Sequence, residues 1–196
     1  MEHNMAIKEF YDNHIHRYFG ECDSPAIFYD KAKKAGVLGG NVLSLAPKIF
    51  EDGPDIPYKE RIDDILTYCD GLEGFLPFFW INPTEEDALE QVEYAAKCGI
   101  KGFKVLCSNY YPKEGMQVYH AIAKQNLPLL FHSGVLWDGR VSSSFNRPME
   151  FEGLMEVQAL RFALAHVSWP WYDECIAMFG KLLSASHGNH SDPITC

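Results

Sequence analysis

His14 and His16 stand one residue apart in Glu9-Phe10-Tyr11-Asp12-Asn13-His14-Ile15-His16. This stretch predicts a short strand near the N-terminus. Alternate residues of a strand share a face, so the two imidazoles point the same way. Two imidazoles side by side form half of a metal site. Two further histidines close short apolar runs much later in the chain. His132 follows Leu129-Leu130-Phe131, and His166 follows Phe162-Ala163-Leu164-Ala165. Imidazole titrates near ~6.5, so the same side chain can ligate a cation when neutral or move a proton at neutral pH.

The elements that must position these residues alternate along the chain. Ser24-Pro25 starts a helix, with Ser as cap and Pro at the first helical position. That helix runs to about Lys34 and stops at Gly36. Val37 to Ala46 reads as a second strand, and Pro47 to Pro57 as a loop. Tyr58 to Asp70 is predicted helical, with Ile62, Ile65, Leu66 and Cys69 on one side. Gly74 to Ile81 has strand length, although Pro77 inside it weakens the assignment. Thr84 is the expected cap of a third helix, which Cys98-Gly99 ends. Ile100 to Cys107 is a fourth strand containing Lys104. Glu114 to Gln125 is a helix and Leu127 to Phe131 a fifth strand. Ser133 to Pro148 is a long polar loop, Met149 to Leu160 a helix, Arg161 to Ala165 a sixth strand and Trp171 to Leu183 a helix.

Strand and helix therefore alternate about six times, at the spacing of βα units. Apolar strands of this kind suit a parallel sheet buried on both faces. Two architectures use this pattern, an open doubly wound sheet and a closed (β/α) barrel, and the absence of Gly-x-Gly-x-x-Gly after the first strand disfavours a dinucleotide-binding sheet. In a barrel all strand ends of one polarity meet at one rim, where active sites lie. Four of the eight histidines fall there.

Composition bounds the function. The chain has 196 residues and a net charge of −10, with 47% hydrophobic and 22% charged residues. That suits one globular domain with a sizeable core. An acidic chain without a Lys/Arg run is a poor partner for nucleic acid or an anionic membrane. No stretch approaches the ~18–20 apolar residues of a membrane span. Six scattered cysteines without Cys-x-x-Cys suit reduced thiols, so the expected location is cytoplasmic. The expected partner is a small-molecule substrate, and homo-oligomerisation is compatible with the sequence.

Asp12-Asn13-His14-Ile15-His16, Gly102-Phe103-Lys104-Val105, Leu129-Leu130-Phe131-His132-Ser133-Gly134 and Phe162 to Trp171 together carry a family likeness. Over roughly residues 8 to 183 the chain resembles the amidohydrolase superfamily of metal-dependent barrel enzymes, in particular its amidohydrolase-2 branch. The resemblance implies that His14, His16 and His132 ligate one divalent metal, most simply zinc. It implies His166 as the acid/base group beside the metal-activated water. A cation held by three imidazoles keeps a position for water and lowers its pKa toward ~7. The implied reaction is attack of that water on a carbonyl-type bond of a small organic acid, lactone or amide. Non-oxidative decarboxylation at the same metal is the alternative within the branch.

Lys104 holds the position at which some superfamily members carry a carbamylated lysine bridging two metals. The plainer expectation is that it neutralises a substrate carboxylate. Arg140 and Arg147, in the loop after the fifth strand, are further candidates to hold a carboxylate. Trp169 is expected to wall the pocket.

The chain departs from the family at its end. The family closes its barrel with eight strands and adds an aspartate ligand from the last. Here about six units are expected over residues 1–183, with 184–196 as a loose tail. Asp192 is a weak stand-in for that aspartate. A truncated barrel would expose two strand edges and bind metal less tightly. An inactive fragment with a binding or regulatory role is therefore the rival expectation.

Overall fold

The computed structural model describes residues 8–20, 22–48 and 54–188. Six strands are present: β1 (Phe10–His16), β2 (Val37–Leu43), β3 (Phe75–Trp80), β4 (Gly102–Val105), β5 (Leu129–Phe131) and β6 (Phe162–Leu164). They pair in sequence order, and every pairing is parallel. A strand order that never reverses, joined by right-handed crossovers, puts every connection on one face. The helices are α1 (Pro25–Lys34), α2 (Tyr58–Cys69), α3 (Ala88–Cys98), α4 (Met116–Lys124) and α5 (Tyr172–Gly188). The sheet curls away from them as a half-barrel, an incomplete TIM-type barrel with β1 and β6 at its edges.

Period-2 alternation sorts the strand residues into two layers. Phe79, Phe103, Val105, Leu129, Phe131 and Phe162 join the main core against the helices. Leu43, Phe78, Leu130 and Ala165 form a second, smaller buried cluster. Lys104 sits in register with Trp80 on one side and Leu130 on the other, which assigns it to this inner layer. Gly102 makes room here, since a Cβ on it would fall 2.3 Å from the Phe78 ring. Pro77 is tolerated inside β3 because the ladder to β4 begins one residue later, at Phe78 opposite Gly102.

Several elements form as the sequence predicts. Ser24 caps α1, accepting a hydrogen bond from the Ile27 amide, with Pro25 in the first turn. Gly99 adopts a left-handed conformation after α3, φ 101°.

Three expectations are corrected. Thr84 does not cap α3, whose first residue is Ala88. Its amide and hydroxyl instead donate to Asn82 Oδ1 in a local turn. The segment expected as a helix over 149–160 is a 3₁₀ helix, Pro148–Glu156. Phe151, Leu154, Val157 and Leu160 are all buried at intervals of three, the 3₁₀ period rather than 3.6. Residues 184–188, expected in a loose tail, extend α5 to Gly188. Asp192 lies outside the described residues, as does the rest of the expected tail.

Among the described residues no helix is long and apolar enough to cross a membrane. The described cysteines, Cys22, Cys69, Cys98, Cys107 and Cys175, are free.

Candidate metal and catalytic centre

All strands run the same way, so their C-terminal ends form one rim, and a cavity of about 660 Å³ opens there. His14, His16, Lys104, His132 and His166 line it together. The parallel register delivers them from β1, β4 and the residues just past β5 and β6. The sequence therefore places its candidate histidines at one site.

The imidazoles form a chain of contacts. The Nε2 atoms of His14 and His16 are 3.0 Å apart. The His14 ring centre lies 4.8 Å from that of His166, which lies 5.0 Å from that of His132. His166 therefore sits between His14 and His132. The His14 backbone is fixed by its amide, which donates to Asp12 Oδ1 at 2.9 Å.

Burial and positive charge keep these rings neutral. Burial, then the Lys104 charge, lowers the His14 pKa to about 2 and that of His16 to about 4. The same causes in the same order take His132 to about 3, and they lower His166. Lys104 is thus the strongest charged neighbour of all four imidazoles. Burial lowers its own pKa to about 7. Neutral imidazoles carry the free lone pair that a metal ligand needs.

Buried polar atoms without partners gather at this cavity. They include Lys104 Nζ, His132 Nε2, Trp80 Nε1 and Asp138 Oδ2, all on lining residues. Such atoms are rare in folded proteins and mark places where a ligand or ion completes the bonding. The His132 ring hydrogen-bonds the Val135 backbone, which leaves Nε2 as its unpartnered nitrogen.

The donor set fits a borderline-soft divalent cation: nitrogen only, neutral, from two histidines already paired and a third with an unpartnered Nε2. As the side chains stand, no three His, Cys, Asp or Glu among the described residues form a ready-made metal group. The pair His14 and His16 is brought together; His132 joins the same cavity through His166.

A strained turn carries His166 to the site. His166, Val167 and Ser168 have φ of 63°, 49° and 57°, three consecutive left-handed residues without a glycine. Each is unfavourable for an L-residue, and such strain persists only where the surroundings impose it. The Ser133 hydroxyl supplies part of that restraint, bonding the Ser168 hydroxyl at 2.7 Å and the Asn146 carbonyl at 3.2 Å, all buried. Gly134 is required beside it, because a Cβ there would lie 2.4 Å from the Trp169 carbonyl oxygen.

The remaining candidates fall outside the cavity wall. Arg147 pairs with Glu174 and stacks on Trp171, its guanidinium 4.7 Å from the ring centre. Arg140 lies on the exposed side of the loop. Neither lines the cavity. Trp169 acts at one remove: it stacks on Trp137, 5.8 Å between centres, and Trp137 does line the mouth.

The sequence reading passed over Asp138, Trp80, Trp137 and Arg61. Arg61 is 2% exposed on α2. Its Nη1 donates to the carbonyl oxygens of Trp80 at 2.7 Å and Leu45 at 3.3 Å, and its Nε to that of Ile56 at 3.3 Å. It ties the end of β3 to the loop after β2. The available signal was a lone Arg on the apolar stripe between Tyr58 and Ile65.

No protein-family model matches the chain, and no curated protein sequence matches it. Its fold is similar to that of a dihydroorotase from Campylobacter jejuni, with a TM-score of 0.53 and 18% identity over 96% of this chain and 61% of that one. It is similar to a monomeric dihydrodipicolinate synthase variant, with a TM-score of 0.52 and 18% identity over 91% of this chain and 59% of the other. A probable 2-pyrone-4,6-dicarboxylic acid hydrolase from Acinetobacter baumannii, solved with citric acid bound, gives a TM-score of 0.51 and 10% identity, covering 86% of this chain and 65% of that chain. This chain therefore spans less than two thirds of the length of each. At such identities the likeness establishes a shared TIM-barrel-type fold.

Proposed function

We propose that the chain is a metal-dependent hydrolase of the amidohydrolase-2 type, acting on a carbonyl-type bond of a small organic acid, lactone or amide. One observation carries this reading: four imidazoles and a buried lysine from four strand ends line one cavity, with His14 and His16 Nε2 atoms 3.0 Å apart. His14, His16 and His132 would hold one divalent cation, most simply zinc. When bound, such a cation polarises a carbonyl and brings the pKa of water toward ~7.

The chain's own residues do the rest. His14 and His16 stay unprotonated at neutral pH, because burial and Lys104 oppose a second positive charge beside them. His166, carried between His14 and His132 by its left-handed turn, takes and returns a proton at a ring nitrogen. Lys104 offers its Nζ as a donor to a substrate oxygen on the cavity floor. Trp137, stacked on Trp169, gives the cavity an aromatic face for the substrate.

The test is turnover of a panel of lactones and cyclic amides by zinc-loaded protein. Zinc-dependent hydrolysis that disappears in His166→Ala, with zinc binding retained, supports the reading. Absence of zinc binding by the wild-type chain overturns it.

A further inference from the structure

Lys104 is the residue the hydrolytic reading uses least and the one most shaped by its surroundings. It is 1% exposed, its Nζ has no hydrogen-bond partner, and it lines the cavity floor. A structural lysine in such a place would be paired with a carboxylate, since an isolated buried ammonium is costly. Among the described residues none is within bonding distance. Asp138 is the lone acidic residue among those described as lining the cavity, and its Oδ1 accepts from the Ser142 hydroxyl and the Arg140 amide. A desolvated amine close to other basic groups is the usual environment of a lysine that attacks carbonyl carbon.

The geometry points to a second activity at this cavity: Lys104 Nζ captures a small aldehyde or ketone, an oxo acid in particular, as an imine. The step balances without a co-reactant. The amine lone pair forms a bond to the carbonyl carbon, and the C=O π electrons move to oxygen. Both protons of the amine pass in turn to that oxygen, which departs as water. The carbon–nitrogen double bond remains, and hydrolysis reverses the sequence. The preference for an oxo acid follows from the lining. Among the described lining residues Lys48 and Lys104 are the basic groups not held in an ion pair, Arg17 being bound to Asp64, and Asp138 is the one carboxylate, in a chain whose net charge is −10. A carboxylate on the ligand is therefore favoured there.

Capture needs no metal, so its failure and that of the hydrolase reading are separable. The full chain is incubated with pyruvate and borohydride in the presence of a chelator. Intact mass and peptide mapping then locate the reduced secondary amine. The expected result is one adduct per chain, on Lys104. Lys104→Arg, checked for folding by circular dichroism, should lose it. Absence of an adduct, or labelling confined to surface lysines with Lys104 unmodified, overturns the proposal. Mapping on the wild-type chain decides the matter even if the variant does not fold. Labelling without zinc binding would sink the hydrolase reading alone. Zinc binding without labelling would sink imine formation alone.

Discussion

The imidazole of His14, on the first strand, lies 4.8 Å from that of His166, just past the last strand. Yet β1 and β6 are the two edges of the sheet. Five spacings of ~4.8 Å would hold the edges of a flat sheet about 24 Å apart. Only the curl of the half-barrel brings the two rings into contact, so the site reports on the curvature of the whole sheet.

Metal binding is the first prediction. Calorimetric titration of the apo chain should show one zinc per chain. His14→Ala or His16→Ala should weaken it by more than the ~10–100-fold that loss of an outer-shell partner costs. His120→Ala, on the exposed face of α4, should change nothing. Equal affinity in all three variants would rule out the rim as the binding place.

Stability should rise with pH across the acidic range. The His14, His16 and His132 pKa values lie at about 2, about 4 and about 3 in the folded chain, below the unfolded ~6.5. The unfolded state therefore binds more protons, and stability is full above ~6.5 and is lost as pH falls toward those folded values. The Lys104 value of about 7 has the same sign in the alkaline range, adding stability as pH rises from there toward its ordinary value. Thermal unfolding of the metal-free protein should show Tm falling steadily from pH 7 to pH 4. The triple His→Ala variant at positions 14, 16 and 132 should flatten that slope. A parallel slope in the variant would assign the acid sensitivity elsewhere.

The architecture and the histidines were legible because each rests on a short-range rule. Strand-then-helix alternation implies a parallel sheet, and a histidine closing each apolar run implies one rim. His14, His16, His132 and His166 could be named from those rules. What was not legible depended on partners distant in sequence. Arg147 read as a loop guanidinium aimed at substrate, but Glu174, 27 residues on, takes it. Trp169 read as a wall, but it stacks on Trp137, and Trp137 is the one that lines the cavity. Asp138 gave no signal, because its value lies in which cavity the loop folds against. The 3₁₀ segment was legible and misread: its buried residues recur every three positions from Phe151 to Leu160.

Replacing Arg61 should destabilise the rim from outside the site. Arg61→Met keeps most of the apolar stem but leaves the Trp80 carbonyl oxygen without its donor, while the Leu45 oxygen keeps the Ser44 hydroxyl. A buried acceptor left unsatisfied costs about 1–3 kcal/mol. The expected loss in urea unfolding is of that order, with an unchanged m-value. Zinc affinity should also fall, since β3 carries Trp80 against the His16 ring. Wild-type stability in this variant would show that the Trp80 carbonyl finds another donor.

Val167 offers a prediction of opposite sign. It is a β-branched residue with φ 49°, in the middle of the left-handed turn, and it is 60% exposed. The left-handed conformation costs an L-residue roughly 1–2 kcal/mol, whereas glycine adopts it freely. Glycine gives back about 0.5–1 kcal/mol through the greater freedom of the unfolded chain. Little packing is lost at so exposed a position. Val167→Gly should therefore stabilise the protein by about 0.5–1 kcal/mol, read as a higher urea midpoint. The Ser133–Ser168 hydrogen bond still fixes the turn, so His166 should keep its place and zinc affinity should not change. If the midpoint falls instead, the Val167 side chain is holding the turn by contact, and the strain is balanced at the valine itself rather than by the serine pair.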